Sequence, residues 1–64
     1  MNEIFFVENG KVEYHNFFHV LKIAEAKAQE EKRPILIFRK IKGYTEPISR
    51  VYPDGKREDL KKVI

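Results

Sequence analysis

At 64 residues the chain has room for a single domain, 1–64, and buries only about 60% of the surface its unfolded form exposes, which leaves a narrow stability margin. It contains no cysteine, so disulfides and thiolate-bound zinc, the usual supports of so short a chain, are excluded. Residues 1–32 hold four Lys/Arg and six Asp/Glu, residues 33–64 nine and four, so −2 and +5 add to the net +3 of the chain; a basic second half can mark a surface for polyanions.

The N-terminus carries Glu3 where a signal peptide would be basic, and the apolar run Ile4-Phe5-Phe6-Val7 is far too short for a secretory h-region. No stretch reaches the roughly 18 apolar residues that span a bilayer. Together with the missing cysteines this points to a cytoplasmic protein with no membrane partner.

Ile4-Phe5-Phe6-Val7 reads as a strand, and Asn9-Gly10 is the strongest two-residue hairpin signal. A type I′ turn there sets Val7 opposite Val12, Phe6 opposite Glu13 and Phe5 opposite Tyr14. One face is then Phe5, Val7, Val12 and Tyr14, a core face; Ile4 and Phe6 take the other.

A helix is expected over about 16–32. Asn16 can cap it by accepting an orphaned N–H of the first turn. Phe17, Val20, Leu21, Ala24 and Ala28 fall within a stripe about 100° wide. Lys27 and Glu31 are spaced to pair, and Pro34 ends the helix near Lys32 because its ring disfavours helical geometry at Arg33.

Ile35-Leu36-Ile37-Phe38 is a continuous apolar run, as expected of a strand with neighbours on both sides, and charge sets in at Arg39. Gly43 opens a loop, Pro47 starts a further strand through Tyr52, and Pro53-Asp54-Gly55 is a turn. Leu60, Val63 and Ile64 have helical spacing and suggest a short C-terminal helical turn, with another hairpin arm as the alternative. The fold class is α+β: a small antiparallel sheet in β-β-α-β-β order, the first and third strands central, one amphipathic helix on one face.

One helix covers only one side of a sheet. The other side, with Ile4, Phe6, Ile35 and Ile37 as candidate contacts, is the expected surface for a protein partner or for a second copy in a homodimer. If Leu60, Val63 and Ile64 fold over that side, they seal it instead. The alternative is nucleic-acid binding, to DNA or RNA, by the basic second half: Arg39, Lys40, Lys42, Arg50, Lys56 and Arg57, with Tyr44 to stack on bases. Scattered cations of this kind are more often a solvated surface.

Catalysis has little to work with. Ser49, the only serine, lacks the flanking glycines of a nucleophile elbow. Glu25, Glu30 and Glu31 belong to the solvated helix face, and Gly10, Gly43 and Gly55 sit at separate turns rather than in a phosphate cradle. His15 and His19 are four apart, but a third and fourth ligand are missing. No enzyme activity and no cofactor are expected. The element order resembles that of many small bacterial and phage proteins in pattern only, without a shared motif. That analogy implies a non-enzymatic, inhibitor-like regulator.

Overall fold

The computed structural model describes residues 3–60. Its elements are β1 (Ile4–Val7), α1 (Phe17–Glu31), β2 (Ile35–Ile41), β3 (Tyr44–Val51) and β4 (Arg57–Asp59). The four strands form one antiparallel sheet in the order β1-β2-β3-β4, and the helix packs on β1, β2 and β3. The fold is α+β.

The expected β-β-α-β-β order gives way to β-α-β-β-β. The arm after Asn9-Gly10 does return along β1, but it pairs with it at one point only, Phe5 with Tyr14, each donating its N–H to the other's carbonyl at 2.7 and 2.8 Å. That pairing matches the expected register; the pairing of Val7 with Val12 does not form. The turn closes one residue earlier than a two-residue hairpin would. The Gly10 N–H donates to the Val7 carbonyl at 2.9 Å, and only Asn9 takes positive φ, 61°. Val12 is accordingly 57% exposed rather than part of the core. Gly10 is needed for space: a Cβ there would lie 2.7 Å from Val7 Cγ2.

The type I′ turn lies elsewhere. Lys42 and Gly43, both at positive φ (48° and 89°), join Ile41 to Tyr44 in the register, as that turn requires. β3 therefore starts at Tyr44 and not at Pro47. Pro47 has no N–H to give a ladder, and it sits where the register slips by one residue, leaving Ile48 as the extra residue of a bulge between the Ile37–Ser49 and Phe38–Pro47 pairs. Tyr52-Pro53-Asp54-Gly55 turns the chain again, with Gly55 N–H donating to the Tyr52 carbonyl at 3.0 Å. Beyond this turn the chain forms a hairpin arm, Arg57–Asp59 as β4, while the helical turn expected from the spacing of Leu60, Val63 and Ile64 falls for the most part outside the described residues. The Leu60 N–H continues the ladder to the Ile48 carbonyl at 2.9 Å. Val63 and Ile64 lie outside the described residues. The third expected strand, β2, is central. β1 is lateral instead, and among the described residues only the Tyr14 bridge pairs with its outer side.

The helix forms as its sequence dictates. Asn16, in extended conformation, accepts from the N–H groups of Phe18 (2.9 Å) and His19 (3.2 Å). Lys32 ends the helix in the left-handed region at φ 58°, its N–H donating to the Ala28 carbonyl at 2.8 Å. Lys27 pairs with Glu31 at 3.4 Å. Val20, Ala24 and Ala28 are fully buried, and they meet Phe5, Val7, Ile35, Ile37 and Val51 from the sheet. Tyr14, Phe17, Leu21, Ile23 and Ile48 pack at the margin of this core.

Candidate interaction face

Side chains of a strand alternate between faces, so burial assigns them. In β1, Phe5 and Val7 go under the helix while Ile4 and Phe6 do not. In β2, Ile35 and Ile37 are fully buried. They cannot be surface contacts, and the outward residues of that strand are Leu36 and Phe38. Phe6 stands opposite Phe38 in the register, and their rings stack with centroids 5.4 Å apart at 11° between planes. Ile4, Phe6, Leu36 and Phe38, all half-buried, form an apolar strip on the helix-free face.

Charge frames this strip. Ile4 pairs with Lys40 and Leu36 with Arg50, which pairs in turn with Glu58. Lys40 Nζ lies 3.8 Å from Glu13 Oε2. Arg50 Nη1 donates to Glu58 Oε1 at 2.9 Å, and the Tyr52 hydroxyl donates to the same oxygen at 3.0 Å. Each end of the strip thus presents both signs. A shallow groove of about 180 Å³ lies at the β1 side, between Phe6, Gly10, Lys11, Glu13, Lys40 and Thr45. Small-molecule pockets typically run to about 300 Å³ and more, so this groove suits a side chain of a larger partner better than a free ligand.

The seven residues considered for nucleic acid do not share one surface. Arg39 and Arg57 fall on the helix side of the sheet, in register with Phe5 and with Val51; Lys40 and Arg50 fall on the open side. Lys42 and Tyr44 sit on the β2–β3 hairpin and Lys56 on the β3–β4 turn. The arginines are also committed. Arg39 donates to Glu46 through Nε (3.1 Å) and Nη2, and to Glu3 at 3.3 Å; the Glu46 hydrogen bond pushes its guanidinium still further above its ordinary range. Arg57 lies 3.4 Å from Asp59 and 5.6 Å over the Phe17 ring. Each carboxylate held this way reduces the positive potential that counterion release needs.

One polar cluster has no signal in the sequence. The Glu8 N–H donates to the Leu36 carbonyl at 2.9 Å and so extends the β1–β2 ladder. The chain then turns away at Asn9, and the Glu8 carboxylate accepts the Leu36 N–H at 2.8 Å in place of a backbone carbonyl. Its other oxygen accepts from Arg33 at 2.7 Å, and Arg33 also reaches Glu31 at 2.7 Å. The Arg33 hydrogen bond is the main reason the Glu8 carboxyl titrates below its ordinary value; partial burial opposes it.

Ser49, 2% exposed, donates its hydroxyl to Asp59 at 3.4 Å, a hydrogen bond within the β3–β4 pair. The His19 ring meets Tyr14 edge-on at 5.0 Å. Among the described residues no three His, Asp or Glu side chains converge as a metal site would require, and no helix is long and apolar enough to cross a membrane. No protein-family model, curated protein or solved structure matches the chain. The open sheet face is the feature from which a function can be argued.

Proposed function

We propose that this protein is a non-enzymatic, cytoplasmic interaction module whose contact surface is the helix-free face of the sheet. The observation that carries this reading is the stacked Phe6–Phe38 pair, flanked by Ile4 and Leu36 on the side the helix leaves uncovered. Aromatic residues set in an apolar strip with a polar rim are the usual anchors of protein contacts, where a few side chains supply most of the binding energy. The four side chains are half-buried, and a partner that covered them would bury the apolar surface they still present. An inhibitor-like or regulatory role fits a module of this size, which acts by occupying a surface rather than by chemistry. The nucleic-acid alternative is less well supported, because the arginines it needs are bound to carboxylates on two sides of the sheet.

A photo-crosslinking residue placed at Leu36 tests the reading in cells, with the same residue at Gln29, on the exposed helix face, as the control. Protein adducts are expected from position 36 and not from position 29. Equal yields from both positions, or none from position 36, would show that the open face is not a contact surface.

A further inference from the structure

The Phe6–Phe38 face raises a second question, that of its occupant. We infer that a second copy of this chain covers it, two sheets packing face to face with the helices outside. This rests on the reading of the open face as a contact surface and names its partner.

Three observations favour a second copy. The first is charge. A surface that meets a foreign polyanion or polycation carries one sign, whereas a two-fold contact must be complementary to itself. The rim here is mixed at both ends, Lys40 beside Glu13 and Arg50 beside Glu58, so a rotated copy does not meet a rim of one sign. The second is area. A stable interface of standard size buries roughly 800 Å² per partner, and the chain, 33 × 27 × 17 Å in extent, reaches that only through a broad contact that takes in the charged rim as well as the strip.

The third is the state of the sheet edges, the other route by which small sheets associate. The outer side of β1 is already engaged at Phe5 by Tyr14. The outer strand at the other end, β4, is three residues long and wholly charged, Arg57-Glu58-Asp59; short charged edges resist pairing. Face-to-face packing remains. Aligned sheets stack about 10 Å apart with their inner side chains interdigitating, and Ile4, Phe6, Leu36 and Phe38 would form that inner layer. A cysteine-free chain whose core among the described residues is eight buried side chains, two of them alanine, would gain from a second copy the burial its length denies it.

Sedimentation equilibrium of the full chain, from low micromolar to near-millimolar concentration, tests the inference. The mass should rise from 7.7 kDa towards twice that value. Phe38→Glu should weaken association at least tenfold while helical circular dichroism is retained. Should that variant fail to fold, Leu36→Gln, on the same face but outside the ring stack, gives the same reading. A monomer at every concentration overturns the second copy as occupant and leaves the open-face reading to its own crosslinking test. A dimer insensitive to both substitutions places the contact elsewhere and overturns the inference together with the face it rests on.

Discussion

Where β1 ends, the Leu36 N–H would lose its ladder partner, and a donor left unpaired costs free energy to the extent that it is shielded from water; here it is partly buried. The Glu8 carboxylate supplies the acceptor and binds Arg33 at the same time. Because the folded pKa lies below the ordinary 4.5, Glu8 contributes stability that is fully present above that value. The contribution is lost as pH falls through the folded pKa. Glu8→Gln keeps an acceptor for Leu36 but loses the charge facing Arg33 and, behind it, Glu31 and Lys27. At neutral pH the variant should be less stable by about 1 kcal/mol or less, the range of partly exposed ion pairs. Melting temperatures of the two proteins should converge as pH falls from neutral into the acid range where carboxylates protonate. Parallel curves would mean that the pair contributes nothing. None of this is legible in sequence, because Glu8 and Arg33 are 25 residues apart and a glutamate before Asn-Gly reads as a solvated turn. Asn16 is legible because a cap acts on its own next turn.

At the scale of elements the same contrast holds. The helix is readable from its stripe, its cap and Pro34, all local signals. The hairpins are not, because turn chemistry names residues that tolerate positive φ without fixing where the register needs them. Asn9-Gly10 has the favoured composition, yet only Asn9 adopts positive φ; Lys42-Gly43 has the weaker composition and forms the I′ turn. The exchange has a cost in backbone strain, since a lysine at φ 48° sits where side chains other than Asn, Asp and Gly are disfavoured by about 1–2 kcal/mol. Lys42→Asn should therefore stabilise the fold by about 0.5–1 kcal/mol. Urea denaturation should show a higher midpoint with an unchanged slope. A lower midpoint would mean that the lysine makes a contact the turn geometry does not reveal. Pro47 belongs with these cases: it reads as a strand start, whereas the bulge at Ile48 lets β3 run through it from Tyr44.

At the scale of the whole molecule, a sheet face without a helix over it, among the described residues, follows from the presence there of one helix, and that much the composition of the strands announces. Which residues it displays does not. A continuous apolar run such as Ile35-Leu36-Ile37-Phe38 fits either parity, and a shift of one residue exchanges the two faces. The helix settles the parity by burying Ile35 and Ile37 completely, which turns Leu36 and Phe38 outward. Neighbours in the chain therefore report on different parts of the molecule. Ile37→Ala empties a site in the monomer core and should cost about 2–5 kcal/mol, a large share of the roughly 5–15 kcal/mol that holds a domain. Phe38→Ala should cost the dilute protein clearly less. Its effect should appear as concentration rises: the melting temperature of the parent chain climbs with concentration if a second copy binds the folded state, and that of Phe38→Ala stays flat. Thermal melts of the three proteins across a hundredfold range of concentration separate the two roles. Equal losses from Ile37→Ala and Phe38→Ala in dilute solution would make Phe38 a core residue of the monomer, and the open face would then be structural rather than a surface for binding.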